Sequence, residues 1–347
     1  MNDPRIAACN QSQPATHPAH SAYTYSVAIH GTFPRTLKAT RKAVSAPSSH
    51  HSVELFTGSS IRIGRFRCPA EDRRWRGENR IEGGPVIVFP RTAVEISVAG
   101  SGRVIADAAR VMFYNDGQHY QRRVVDPRGD QCEWFAIDQA SLCDLLRLAG
   151  AHDSHDFSRV FAHACGPSAP SVYLAQRNLF RAIEAGRTAD ALRIEEAGLG
   201  LAGAAIRFAI KSGGARAKRS EATRRFHRET AEAAREFMVR NFQSRLRVSD
   251  IAAAVGVSAF HLCRVFREHA GLSLHACLTR LRLAAALAAL ENPRQEIIPL
   301  AMSLGFSSHA HFTGVFTRTF GMPPSQARQT AQLRELLPAL SKIQQAA

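Results

Sequence analysis

Two short clusters of side chains have types suited to reading the edge of a base pair. Phe260, Cys263, Arg264 and Arg267 form the first, and His309, Thr313 and Thr317 form the second. A guanidinium carries parallel N–H donors that match guanine O6 and N7, so Arg264 is the strongest candidate for direct base contact. Arg267 reads as either a phosphate contact or a solvated side chain. Phe260 can meet a thymine methyl, and His309 and Thr313 can bond base edges or phosphate oxygens. The plainer alternatives are a solvated basic face, and for Phe260 packing on its own domain.

Both clusters lie on segments that repeat. The stretch from Ile251 to Gly271 recurs from Leu300 to Gly321, with Leu262, Phe266 and Gly271 matching Phe312, Phe316 and Gly321. The second copy has one extra residue in its turn. Each copy reads as two short helices crossing steeply. The crossing point needs a small residue, supplied by Ala252 and Ala301, and the turn needs a left-handed residue, supplied by Gly256 and Gly305. Ser258 and Ser308 are placed to cap the second helix of each pair, and Ser249 to cap the first helix of the first copy. Pro299 fits a first helical turn. Leu262 with Phe266, and Phe312 with Phe316, are i,i+4 pairs for a core. The Ala- and Leu-rich stretch 274–291 predicts a connecting helix, stopped by Asn292-Pro293, that holds the two units roughly 30 Å apart.

The net charge is +16, and residues 216–347 supply most of it. Such a balance implies a polyanionic partner, either nucleic acid or an anionic membrane surface. No apolar run is long enough to span a bilayer and no signal peptide is evident, so a cytoplasmic location is expected. The 7 cysteines include no CxxC pair, which argues against a disulfide framework or a structural zinc site. Metal and redox chemistry find weak footing. His17, His20, His50 and His51 sit in a segment whose composition reads as flexible, and His119 stands alone. His152 and His155 flank Asp153 in a loop, and neither Cys68 nor Cys132 has a clear resolving partner. Catalytic residues, cofactors and metal ligands are therefore not assigned.

Along the chain, residues 1–52 read as a disordered tail. Residues 53–211 form a β-rich domain with turn signals every few residues, followed by a helical hairpin over 171–184 and 189–211. Tyr114, Tyr120, Trp134 and Phe135 read as its core. Residues 212–222 read as a linker, 223–330 as an all-α unit, and 331–347 as a helical tail. The fold class is α+β in two domains: a β-barrel-like, cupin-like N-terminal domain with the hairpin, and an all-α C-terminal domain with two helix-turn-helix motifs. The apolar hairpin faces predict a homodimer through residues 139–211.

The region from Val248 to Arg328 resembles the DNA-binding domain of the AraC/XylS family of bacterial transcription regulators. The resemblance rests on Ile251-Ala252, Gly256, Ser258, Arg264-Val265-Phe266-Arg267, Gly271 and Arg282-Leu283. It continues through Leu300-Ala301, Gly305-Phe306, His311-Phe312, Phe316, Gly321 and Pro323-Pro324-Ser325 to Arg328. It implies a promoter-binding regulator with double-stranded DNA and RNA polymerase as partners and with room for an unidentified small-molecule effector. Its β-rich part would sense or dimerise. His261 and His311 stand where the family often has an aromatic, and Gly314 and Thr317 where it often has basic residues. The first reading head is therefore expected to dominate. The competing readings are a metal-dependent barrel enzyme fused to a DNA-binding domain and a nucleoid-type protein without sequence preference.

Overall fold

The computed structural model describes residues 51–98, 102–150, 160–186, 190–212 and 220–329. The chain divides into two units, Met1–Pro47 and Ser48–Ala347, and every described residue belongs to the second. The expected tail up to residue 50, most of the linker, His152, His155 and the expected C-terminal helix lie outside the described residues.

The N-terminal half begins with β1 (Ser52–Thr57), β2 (Ile61–Cys68) and β3 (Asn79–Arg80), with a short 3-10 turn at Arg73–Arg76. β4 (Val86–Pro90), β5 (Val94–Val98), β6 (Gly102–Ala106), β7 (Arg110–Tyr114), β8 (His119–Val124), β9 (Asp130–Ile137) and β10 (Cys165–Pro167) follow. They form an antiparallel six-stranded sheet in the order β1-β2-β9-β4-β7-β10 and a four-stranded sheet in the order β3-β8-β5-β6. The barrel-like expectation resolves into two sheets. Strand alternation sends Ile61, Ile63, Ile87, Phe89, Phe113 and Phe135 to one core, while Met112 and Tyr114 pack with Val94, Ile96 and Val104 in another. β7 is buried at all five positions, which is why it lacks a polar alternation.

β8 escapes a hydropathy reading because its inward residue is charged. The Arg122 side chain is fully buried, 2.8 Å from Asp130, with its guanidinium carbon 4.9 Å from the ring centroids of both Phe66 and Trp75. Burial raises the Asp130 pKa, and the Arg122 charge and hydrogen bond only partly offset this. Of the expected aromatic core, Phe135 and Tyr114 are buried, whereas Tyr120 and Trp134 are only partly so.

Three helices cover the outer face of the large sheet: α1 (Gln139–Leu148), α2 (Pro170–Glu184) and α3 (Ala191–Ser212). Asp138 caps α1 by accepting from the Ala140 and Ser141 amides. α2 is buried at almost every position after its first turn. Val172, Ala175, Leu179 and Phe180 face the sheet, whereas Tyr173 and Leu174 join Leu283, Phe312 and Phe316 from the C-terminal half. The α2 face turned away from the sheet is thus covered from within the chain, while Leu148 and Leu192 in the same region stay exposed.

The rest is helical: α4 (Glu221–Asn241), α5 (Val248–Ala254), α6 (Ala259–Ala270), α7 (Leu274–Ala289), α8 (Ile297–Ser303), α9 (His309–Phe320) and α10 (Pro324–Gln329). α4 lies on the small sheet, with Val239 against Ala93, Ile105 and Val125. A buried charge network fixes this contact. Arg110 on β7 donates from Nη1 and Nη2 to the Glu232 carboxylate, at 2.7 Å each. The same carboxylate accepts from the Ile105 amide at 2.8 Å and lies 3.0 Å from His269 Nε2 on α6. Burial alone would raise the Glu232 pKa, but the Arg110 charge and the hydrogen bonds from His269 and Arg110 hold it well below the usual carboxylate range. Next to it, Arg235 bonds Asp107 at 2.8 Å, and both side chains are buried. A second buried carboxylate, Glu133, accepts from Arg91, Gln176 and Arg177. Arg91 and Arg177 also reach Glu291 just beyond the end of α7.

Candidate nucleic-acid interface

The two helix pairs repeat in atomic detail. α5 and α6 meet at 86°. Gly256 and Gly305 hold φ of 69° and 78°. The residue after each glycine then donates back to the crossing alanine: Val257 N to Ala252 O at 3.1 Å and Phe306 N to Ala301 O at 3.2 Å. Ala252 is 3% and Ala301 0% exposed, so each small side chain is enclosed at its crossing. Ser258 accepts from the His261 amide and Ser308 from the His311 amide. The extra residue of the second copy is Ser307, whose hydroxyl lies 3.0 Å from His311 Nδ1. Ser249 is not a cap. α5 begins two residues earlier than that reading needs, and Asp250 instead accepts from the Arg247 amide at 2.8 Å.

Both second helices show their polar face outward. Leu262, Val265 and Phe266 on α6 are fully buried against Ala234 and Met238 of α4. The opposite side brings Phe260, Cys263, Arg264 and Arg267 together as exposed residues, and Phe260 is 82% exposed. Phe260 therefore does not pack on its own domain. Among the described residues, neither Arg264 nor Arg267 pairs with a carboxylate. Arg264 Nη2 lies 3.5 Å from His261 Nδ1, and His261 is flanked by Phe226 and His227 from α4. Arg224 and Arg225, near the start of α4, are held by Glu221 and Glu229.

In the second unit Phe312 and Phe316 are fully buried and continue an aromatic row with Phe306 and Phe320. His309 is exposed, while Thr313 and Thr317 are half-buried. Thr313 Oγ1 lies 3.3 Å from His309 Nε2. The residue that sequence reasoning missed is Arg318. A Cβ placed on Gly314 would meet Arg318 Nη1 at 3.5 Å, so this guanidinium lies back over the glycine. Gly314 occupies the position of Arg264 in the repeat. The available signal was i,i+4 spacing together with the N-terminal lean of helical side chains. Arg282 is a strut: it donates to the Phe242 and Ser244 carbonyls at 2.7 Å each and sits over the Phe306 ring.

Residues 251–330 match the family model described as "Helix-turn-helix domain". "Probable transcription factor PqrA" of Proteus vulgaris is 31% identical over 88 residues, which are 25% of this chain and 72% of that protein. The chain belongs to the AraC/XylS family of transcription regulators. Other relatives match over stretches of similar length and over smaller shares of their own chains. The "Msm operon regulatory protein" of Streptococcus mutans is 34% identical over 91 residues, 26% of this chain and 33% of its own length. For the "Uncharacterized HTH-type transcriptional regulator" of Haemophilus influenzae, 29% of its length is spanned. A solved AraC-type regulator from Chromobacterium violaceum is similar at 29% identity, over 30% of this chain and 92% of that one, with a TM-score of 0.29. Among the described residues of this AraC/XylS member, no single helix is long and apolar enough to cross a membrane.

Proposed function

We propose that this chain is a sequence-specific, DNA-binding transcription regulator that acts at promoters in the cytoplasm, with α6 and α9 as its reading helices. The observation that carries this reading is a sorting of arginines. Arg110, Arg122, Arg177 and Arg235 are buried and paired with carboxylates. Arg264 and Arg267 stand exposed on the outward face of a helix that meets its partner steeply. An exposed guanidinium with no acid beside it has its donors available for guanine or phosphate. Arg318, lying over Gly314, gives the second head the guanidinium that its Arg264-equivalent position lacks, so both heads read. α7, with 16 residues, is about 24 Å long. Through it the heads address successive major grooves on one face of the duplex, about 34 Å apart. Phe260, Cys263, His309, Thr313 and Thr317 complete the two surfaces.

Regulation runs through RNA polymerase, as family membership implies. An effector would find its place in the cavity of about 710 Å³ between the sheet domain and the helices α4, α7 and α8, lined by residues including Arg91, Asp107, Arg128, Phe242 and Leu304. A ligand seated there would touch both halves at once, and differential contact of that kind is what shifts a conformational equilibrium.

The test is selection of bound sites from random DNA. The wild type should enrich a two-part motif. Arg264→Ala should cost about 1–3 kcal/mol and relax one base pair of the first part, and Arg318→Ala should relax the second part. Arg267→Ala should weaken all sequences about equally and lower the salt slope by about one. Absence of any enriched motif at fixed salt would leave only non-specific binding and defeat the proposal.

A further inference from the structure

The geometry points to a site for a thiophilic divalent metal ion of the zinc class, held by His51, Cys68 and Asp72 at the outer edge of the large sheet. Pairing of β1 with β2 brings the residue before β1 beside the end of β2: the Arg67 amide donates to the His51 carbonyl at 2.8 Å. Cys68 is the last residue of β2. Asp72 opens the 3-10 turn that follows, and its Oδ1 accepts from the Arg74 amide at 2.8 Å. This orients Oδ2 toward His51 Nε2, 2.7 Å away. One ligand atom from each of the three residues lies within 4.8 Å of the other two.

Bond lengths of about 2.3 Å to sulfur and about 2.0–2.2 Å to nitrogen and oxygen, at tetrahedral angles, require ligand atoms roughly 3.4–3.6 Å apart. The His51–Asp72 contact must open by less than an ångström, and from a separation within 4.8 Å both must close on the Cys68 sulfur by at most about 1.2 Å. Both movements fall to side chains with room: His51 and Asp72 are each about one-fifth exposed. Cys68 is 1% exposed and forms the floor of the site.

The donor set selects the ion. Sulfur, imidazole nitrogen and a single carboxylate suit zinc or cobalt and not magnesium or calcium, which take oxygen. On binding, the Cys68 S–H gives its proton to solvent as the sulfur–metal bond forms, and the ion gives up water. The thiolate and the Asp72 carboxylate together neutralise the dication. Arg122 beside the site adds no net charge because Asp130 pairs with it at 2.8 Å. Arg122 Nη2 lies 3.3 Å from Cys68 Sγ, an N–H···S contact of the kind that orients metal-bound thiolates. Three protein ligands leave one position for water. By residue type His51 is open to metal binding, but only the β1–β2 pairing and the turn after it bring it together with Cys68 and Asp72.

The experiment titrates cobalt(II) into full-length protein, reduced and stripped with chelator. One equivalent should produce thiolate-to-cobalt charge-transfer absorption, and zinc should bleach it. Cys68→Ser should abolish that absorption. His51→Gln and Asp72→Asn alter partly exposed side chains. With circular dichroism unchanged, they should weaken cobalt binding about tenfold or more, at least the effect of losing an outer-shell partner. Absence of charge-transfer absorption in the wild type, the same absorption in Cys68→Ser, or unchanged affinity in both other variants would each overturn the site.

Discussion

Glu232 and Arg110 offer the sharpest test of what joins the sheet domain to the first reading head. Their side chains are 1% and 5% exposed and share two 2.7 Å hydrogen bonds. Glu232→Ala leaves a buried guanidinium without its partner, which costs about 3–5 kcal/mol. Arg110→Ala strands the carboxylate at a similar cost. The paired change Arg110→Met with Glu232→Leu removes both charges and keeps most of the volume. It still deprives the Ile105 amide of its acceptor, so roughly 1–3 kcal/mol of destabilisation should remain. The double variant should therefore be more stable than either single one, with a coupling energy of several kcal/mol. The assay is urea unfolding at pH 7, followed by tryptophan fluorescence and helical circular dichroism. Trp75 and Trp134 report on the sheet domain alone, so the single variants should also separate the two transitions. A double variant whose cost equals the sum of the singles would refute the claim that these charges act as a pair.

Gly305→Ala should destabilise more than Gly256→Ala. Both positions bear the left-handed cost of about 1–2 kcal/mol. Only at Gly305 would the new Cβ lie 2.6 Å from the Gln243 carbonyl and 2.7 Å from Arg282 Nη2, displacing the Arg282 strut; equal urea midpoints would contradict this. Stability should fall on acidification. The Glu232 and Glu133 pKa values are depressed in the folded state by their arginines, so their contribution is complete above an unfolded value of about 4.3 and is lost as pH drops below it. Asp130, raised by burial, works in the opposite sense and offsets part of the loss. Glu232→Gln should flatten the acid limb in urea titrations between pH 5 and pH 3, and an unchanged limb would exclude Glu232 as its source.

Much of the reading apparatus was determined by the sequence alone. A helix pair with a small residue at its crossing, a left-handed glycine and a serine cap is specified by local chemistry, and the repetition of that pattern makes it legible without tertiary contacts. The outward sides of α6 and α9 followed from helical periodicity. Arg264 and Arg267 were legible by type, whereas Arg318 was not, because its part depends on where its guanidinium lies over Gly314. Strands with apolar alternation were also readable. β8 was not, since Arg122 points inward and only Asp130, Phe66 and Trp75 make that tolerable. Tertiary structure alone decided what covers α2. The same helix serves the large sheet on one side and Phe312 and Phe316 on the other, and hydropathy records that a face is apolar without recording against what it packs. It likewise decided that Glu232, Arg235, Glu133 and Arg177 are buried. A charged residue reads as surface until a partner distant in sequence offsets its desolvation, and here those partners lie across the boundary between sheet and helices.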